Sequence, residues 1–102
     1  MTDVEVAVRE HARRVVAGEA SARADLAPDA QVEPPDLIER LLAWQFRAFD
    51  LVAHARIGAH HIVKTEYVGP MTVVVQARWV RNAAGRWQVV DAEIARMTRD
   101  SE

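Results

Sequence analysis

His11 is the side chain whose type and position in the sequence best suit chemistry. It lies beside an apolar stripe at helical spacing, formed by Val4, Val8, Ala12 and Val15, which indicates the edge of an inward helix face. An imidazole there could act as a general acid, a general base or a hydrogen-bond donor near neutral pH. The alternative is a histidine at the edge of the core, satisfied by a backbone carbonyl.

The other histidines do not predict a metal site. His60 and His61 are adjacent, so on a strand they point to opposite faces and do not bind one ion from the same side. His54 could approach His61 across a hairpin, and Glu66 follows nearby, but no third ligand has a predictable position. Because the chain has no cysteine, thiolate zinc sites, disulfides and a cysteine nucleophile are excluded. We therefore predict neither a metal site nor any other cofactor.

Asp91 and Glu93 have the spacing of two carboxylates on one strand face. Catalytic carboxylates need a cleft that shifts their pKa values, whereas this face is expected to point away from the helices. We therefore predict a solvated or interfacial pair. Ser21 and Ser101 are the only serines, and neither lies where a serine–histidine–aspartate set can be argued.

Length and charge limit the classes of protein to consider. The 102 residues fit a single domain, residues 1–102. A formal net charge of −2 gives no basic face for nucleic acid, and no apolar run reaches the roughly 18 residues of a membrane span. The N-terminus is acidic and lacks the apolar segment of a signal peptide. We expect a cytoplasmic protein, and the abundance of alanine, arginine and valine fits a bacterial one.

The elements that must position these residues begin with three predicted helices. The first covers residues 3–17, and Gly18 ends it. A short alanine-rich helix covers 19–26, and residues 30–32 form at most a brief strand. The third helix starts at Pro34 and Pro35, since proline suits a first helical turn. Its apolar stripe is Leu37, Leu41, Trp44 and Ala48, widened by Ile38, Leu42 and Phe49.

From residue 51 onward, segments rich in valine and aromatics alternate with turns. Strands are predicted over 51–57, 60–68, 71–81 and 86–97. In the second strand, Val63, Thr65 and Tyr67 are expected to face inward, because the opposite parity would bury Lys64 and Glu66. The predicted fold class is α+β, with three N-terminal helices packed on one face of a curved four-stranded antiparallel sheet.

The last hairpin predicts the composition of the open sheet face. If residues 82–85 form a four-residue loop, Arg81 lies opposite Arg86, and Val80 lies opposite Trp87. This register points Trp79 toward the helices and leaves a broad mixed face with an exposed tryptophan, which favours a homodimer interface. The interface residues predicted on this basis are Arg78, Val80, Trp87, Val89 and Asp91.

Three stretches, residues 16–19, 26–33 and 85–91, together resemble the nuclear-transport-factor-2-like superfamily. This is the cone-shaped, cystatin-like α+β fold of ketosteroid isomerase, scytalone dehydratase and the SnoaL-like polyketide cyclases. The resemblance covers most of the chain. It implies a pocket between the helices and the sheet, but the fold hosts enzymes, binding proteins and transport factors alike and does not select a function.

The resemblance does not extend to the catalytic groups of ketosteroid isomerase. Those enzymes place their proton-shuttling aspartate where this chain has Pro34. Their oxyanion acid falls within the stretch similar to residues 73–77, which holds no carboxylate. Their tyrosine on the first helix corresponds to His11. We therefore do not expect ketosteroid isomerase activity.

The leading interpretation is a small-molecule-binding or non-catalytic domain of this superfamily. A small apolar ligand would lie between the first and third helices and the sheet, against His11, Trp44, Tyr67 and Trp79. Because the strand pair that walls the family's pocket is shortened to residues 30–32, the pocket is small, open or filled. One alternative is an isomerase, dehydratase or cyclase with His11 as general acid/base. Another is a homodimeric interaction module that uses the open sheet face.

Overall fold

The computed structural model describes residues 3–99, in which helices pack on one face of a five-stranded sheet. The strand order is β1-β5-β4-β3-β2, with β2 to β5 forming an antiparallel meander and β1 parallel to β5. The elements are α1 (Asp3–Val16), a 3₁₀ helix (Ala20–Asp25), β1 (Leu26–Glu33), α2 (Leu37–Ala43), β2 (Ala48–Ile57), β3 (His60–Val68), β4 (Met71–Arg81) and β5 (Trp87–Arg99).

The first helix follows the prediction to within one residue. Acidic residues in its first turn and arginines in its last turn complement the helix dipole. Gly18, at φ 73°, takes the left-handed conformation that ends a helix at little steric cost. The buried face is the predicted stripe of Val4, Val8, Ala12 and Val15, and it also includes His11.

The prediction of a four-stranded antiparallel sheet is wrong, because residues 26–33 form a fifth strand. The expected fragment at 30–32 is part of β1, which pairs in parallel with β5 through Gln31 and Asp91, Val32 and Ala92, and Glu33 and Glu93. The segment preceding β1 is a single 3₁₀ helix that ends at Asp25 rather than an α-helix. β1 escaped prediction because Pro28 and Asp29 interrupt the strand pattern.

The third predicted helix is also shorter than expected. It ends at Ala43, and Gln45 then takes a left-handed φ of 55°, which turns the chain. The Arg47 amide donates to the Val68 carbonyl at 2.8 Å, so Ala48 and Phe49 belong to β2. A short apolar run fits a helix or a strand equally well, and tertiary pairing decides between them here.

The register of the last hairpin differs from the prediction by one residue. The Asn82 side-chain oxygen accepts from the Ala84 and Arg86 amides, at 2.9 Å each. The Asn82 amide donates to the Arg86 carbonyl at 2.8 Å. Arg81 therefore lies opposite Trp87 rather than Arg86. A shift of one residue moves a side chain to the other face of a sheet.

The core lies between the helices and the inner face of the sheet. Val63, Thr65 and Tyr67 are buried on that face, as the alternation in β3 predicted. They meet Leu37 and Leu41 of α2, which are almost fully buried; each such side chain contributes about 1.5–3 kcal/mol of transfer free energy. None of the helices within residues 3–99 is long and apolar enough to cross a membrane.

Candidate functional site

A buried carboxylate joins two basic side chains of α1 beneath the sheet. Asp25 Oδ2 lies 2.8 Å from His11 Nδ1 and accepts a hydrogen bond from Arg14 Nη2, also at 2.8 Å. The side chains of His11 and Asp25 are each 10% exposed, and that of Arg14 is 19% exposed. These three residues are called the His11–Asp25–Arg14 cluster below.

Helix geometry and the 3₁₀ helix bring the cluster together. His11 and Arg14 are three positions apart on α1, so they lie on the same helix face. The 3₁₀ helix folds back against that face, and Arg14 Nη1 donates to the Ser21 carbonyl at 3.1 Å. Asp25, the last residue of the 3₁₀ helix, therefore meets both basic groups at the start of β1.

Burial is the largest single influence on the pKa of Asp25, and it acts to raise it. The hydrogen bond from His11, the charge of His11 and the charge and hydrogen bond of Arg14 act in the opposite direction. Together they outweigh burial and hold the pKa of Asp25 below its ordinary value of 3.8. Asp25 is therefore an anion at neutral pH.

His11 also lines an apolar cavity in the centre of the cone. Water centres can occupy only about 20 Å³ of this cavity, which is enough for about one water molecule. Of the three alternatives expected for the pocket (small, open or filled), this volume corresponds to a small one. The other principal lining residues are Leu37, Leu41, Thr65, Tyr67 and Trp79.

Two hydroxyl-bearing residues of β3 line the cavity with His11. Thr65 and Tyr67 are 6% and 2% exposed, and no protein partner for either hydroxyl is found within residues 3–99. Burial, with a smaller contribution from the charge of Asp25, raises the pKa of Tyr67. Tyr67 is therefore a neutral hydroxyl that can donate to a water or a ligand atom inside the cone.

The arrangement gives His11 a defined proton chemistry. With Nδ1 hydrogen-bonded to the Asp25 carboxylate, the neutral ring carries its proton on Nδ1 and leaves Nε2 as an acceptor. No hydrogen bond to Nε2 is found in the described part of the chain. The ring also meets Trp79 edge to face, with centroids 5.5 Å apart at an angle of 76°. A histidine that is oriented by an aspartate and has one free nitrogen can accept or donate a proton.

Three of the four residues predicted to bind a ligand come together around the cavity. His11, Tyr67 and Trp79 all line it. Trp44 does not; it follows the end of α2 and packs edge to face on Phe46, with centroids 6.2 Å apart. Phe46 in turn stacks on Tyr67 at 5.3 Å, so Trp44 lies behind the wall of the cavity.

Sequence reasoning missed Asp25 and Arg14. The available signal was the three-residue spacing of His11 and Arg14 on one helix face. A second signal was the position of Asp25, a charged residue directly before the apolar residues 26–28. The contact between them depends on the turn at residues 17–19 and could not be placed without it.

The predicted interface residues divide between the two faces of the sheet. Arg78 pairs with Asp91, and Val80 pairs with Gln88, on the outer face. Trp87 and Val89 lie on the inner face instead, because the Asn82 loop shifts the register. Val89 is only 2% exposed and packs in the core. The expectation that Trp87 and Val89 lie on the open face is therefore wrong.

The remaining histidines form a pair near one end of the sheet. His54 Nε2 and His61 Nδ1 are 2.9 Å apart, while His60 points away from them. Within residues 3–99, no group of three or more potential metal ligands is found.

Two solved structures are similar to this chain in fold. A candidate ketosteroid isomerase from Shewanella frigidimarina has a TM-score of 0.64 and 13% identity, over 86% of this chain and 90% of that one. A nuclear-transport-factor-2-like protein of unknown function from Shewanella baltica has a TM-score of 0.61 and 10% identity, over 98% and 99% of the two chains. No family model and no curated protein matches the sequence. The chain has the nuclear-transport-factor-2-like fold, as the sequence predicted, and likeness at this identity shows the fold alone.

Proposed function

We propose that the interior of the cone binds a small, compact and mostly apolar molecule, with His11 as its polar contact. The observation that carries this proposal is the His11–Asp25 pair, whose imidazole lines a mostly apolar cavity. Small-molecule sites commonly combine apolar walls with a few placed polar groups. The hydroxyls of Thr65 and Tyr67 supply two more such groups.

Stability alone gives little reason to keep this pair. Buried polar and charged groups that bond to each other are often no more stabilising than well-packed apolar residues of similar volume, because they lose their hydration. In His11 one ring nitrogen is hydrogen-bonded to Asp25 and the other has no partner in the described part of the chain. Such a side chain is better suited to contacting a ligand than to packing in an apolar core. This argument supports a role for His11 beyond packing.

The cavity volume limits the ligand. Since the free volume of the cavity is only about 20 Å³, the cavity must widen as a ligand enters. A compact molecule requires less rearrangement of Leu37, Leu41 and Trp79 than one of steroid size.

The side chains also argue against ketosteroid isomerase chemistry, because position 34 is a proline and residues 73–77 contain no carboxylate.

A thermal-shift screen of small terpenoids, aromatic ketones and short fatty acids tests the binding proposal. A ligand at about 100 times its dissociation constant stabilises the fold by about 2.7 kcal/mol, which raises Tm by about 11–22 °C for a domain of this size. We expect His11→Gln to lose the shift and His54→Gln, an exposed histidine, to retain it. A shift that is equal in both variants would place the ligand elsewhere, and no shift with any compound would leave the cone without a ligand role.

A second proposal is that the same site transfers protons, as in an isomerase, dehydratase or cyclase. The specific support is the orientation of His11 by Asp25, which leaves Nε2 free to act as general base. The test is exchange of an acidic C–H of a bound ligand with deuterium, followed by NMR. If Asp25→Asn slows the exchange but still binds the ligand, the result would favour catalysis. Binding without exchange would leave only the binding function.

We also propose that two copies associate through the outer face of the sheet. Val52, which is 48% exposed, borders a shallow depression of about 290 Å³ together with Lys64, Glu66 and Arg96. Charges of both signs around an apolar residue suit a self-complementary, two-fold contact. Analytical ultracentrifugation should show that Val52→Asp dissociates a dimer and that Val6→Asp, on the exposed side of α1, does not. A monomeric wild type would refute the pairing.

A further inference from the structure

A second space, separate from the central cavity, opens beside the first turn of α1. It is an open cleft of about 380 Å³, within the range of about 300–1,000 Å³ found for small-molecule sites. Its walls come from α1, the β2–β3 hairpin and the ends of β4 and β5. The residues used in the argument below are Asp3, Val4, Arg56, His61, Arg81 and Trp87.

The register of the sheet explains why these side chains meet. Arg56 lies opposite His61, and Arg81 lies opposite Trp87. His61 is also paired with Trp79 of the core, so all of these side chains share the inner face of the sheet. Trp79 lines the central cavity whereas His61 lines the cleft. The two spaces are therefore neighbours on one face, with different walls.

The cleft carries more positive than negative charge. Arg56 and Arg81 face it, and Asp3 is its one acidic lining residue among those the structure describes. The N-terminal end of α1 adds the positive end of a helix dipole. An anion in the cleft would meet two arginine side chains.

Both guanidinium groups are available to a ligand. Arg56 uses Nε to donate to the Gly58 carbonyl at 3.0 Å, and its Nη groups have no acceptor within residues 3–99. Arg81 Nη2 donates to Asp3 Oδ2 at 3.1 Å, but the side chains of Arg81 and Asp3 are 49% and 81% exposed. Exposed ion pairs contribute little to stability, so a ligand anion can replace Asp3 with little loss.

The floor of the cleft is aromatic. The Arg81 guanidinium lies over the Trp87 ring, 5.0 Å from its centroid. The His61 ring meets Trp87 edge to face, with centroids 5.3 Å apart and an angle of 88°. Val4, which is 1% exposed, lies behind this floor. A ligand that fits this surface has a flat apolar body and an anionic group that reaches the arginines.

We propose that this cleft is a binding site for small organic carboxylates with a flat apolar body. Carboxylates pair with guanidinium groups through two parallel hydrogen bonds, which fixes their orientation. The apolar body then lies against the rings of Trp87 and His61. This site uses neither His11 nor Asp25, so the proposal stands independently of ligand binding in the cone.

The experiment uses 2-naphthoate as the probe and 2-naphthamide as its uncharged counterpart of the same shape. Binding is followed by the ¹H–¹⁵N signal of the Trp87 indole, assigned with Trp87→Phe. We expect naphthoate to shift this signal in a saturable way and naphthamide to bind at least about tenfold more weakly, since it lacks the charge that strengthens the hydrogen bonds.

Matched variants separate the cleft from other sites. Arg56→Gln should weaken naphthoate binding about tenfold. Arg47→Gln, the same change at an exposed arginine just before the start of β2, should leave affinity within about twofold. His11→Gln should leave it unchanged as well. Equal affinity for the amide, equal effects at Arg56 and Arg47, or no saturable shift at Trp87 would each overturn the proposal. Loss of binding in His11→Gln would also overturn it, because the probe would then lie in the cone.

Discussion

Replacing Asp25 with asparagine removes one negative charge from the His11–Asp25–Arg14 cluster while keeping the shape of the side chain. The asparagine oxygen can still accept from both neighbours, so only the charge-assisted part of each hydrogen bond is lost. That part is about 1 kcal/mol per bond, and the two bonds at 2.8 Å together lose about 2 kcal/mol. For a domain of this size, Tm should fall by about 8–16 °C.

The pH dependence of this effect follows from the direction of the pKa shift. The pKa of Asp25 in the folded protein lies below its ordinary value of 3.8. The carboxylate therefore stabilises the fold above that value, and the stabilisation is lost as the pH falls through the folded pKa. The difference in stability between wild type and Asp25→Asn should persist from neutral pH to about pH 4 and shrink below it.

Urea denaturation of wild type, Asp25→Asn and Asp29→Asn at several pH values measures this difference. Asp29 is an exposed acid on β1, so its substitution should change the free energy of unfolding by less than about 0.5 kcal/mol. If Asp25→Asn were as mild as Asp29→Asn at neutral pH, the cluster would not hold a stabilising anion. A difference that stays constant into strong acid would equally refute the reasoning, since the carboxylate would not be its source.

Three further substitutions test the packing around the cavity by chemical denaturation. Leu41 is 1% exposed, so Leu41→Ala should lower the free energy of unfolding by about 2–5 kcal/mol. Leu42 is half-buried on the same helix, and Leu42→Ala should lower it less. Equal losses in the two variants would contradict the burial of the Leu41 face of α2. Gly69→Ala would place a Cβ 3.2 Å from the Phe46 backbone and should lower the free energy of unfolding by about 1–3 kcal/mol. An unchanged free energy would show that the β3–β4 turn moves to accommodate the methyl group. Tyr67→Phe removes a hydroxyl with no protein partner within residues 3–99 and should change the free energy of unfolding by less than about 0.5 kcal/mol; a larger loss would reveal a partner for that hydroxyl, such as a buried water.

The strands of the meander were predictable because their side chains alternate. In β3, the alternative parity would have buried Lys64 and Glu66, so the inward set of Val63, Thr65 and Tyr67 followed from the residues alone. Periodicity of this kind depends only on neighbours in sequence. The fold itself could be recognised from the order of helices and strands, before any contact was known.

The failures arise where a distant contact or a side-chain hydrogen bond decides the structure. One hydrogen-bond acceptor, the Asn82 side chain, sets the register of the last hairpin and moves Trp87 to the inner face. β1 forms a strand because its backbone pairs with the edge of β5. Likewise, His11 was identified from its helix position, but its partner Asp25 depends on the turn between α1 and the 3₁₀ helix. Local patterns carry no information on these contacts.

The order of the strands leaves β1 and β2 at the two edges of the sheet. An edge strand exposes unpaired backbone groups that another chain can extend into a continuous sheet, the first step of aggregation. β1 carries Pro28, which has no amide hydrogen to offer such a chain. In β2 the pairing with β3 shifts register around Val52, and the charged side chains of Asp50 and Arg56 lie on either side of this irregularity. Both edges are thus poor templates for strand addition, and the pairing of two copies proposed above uses a face of the sheet rather than an edge.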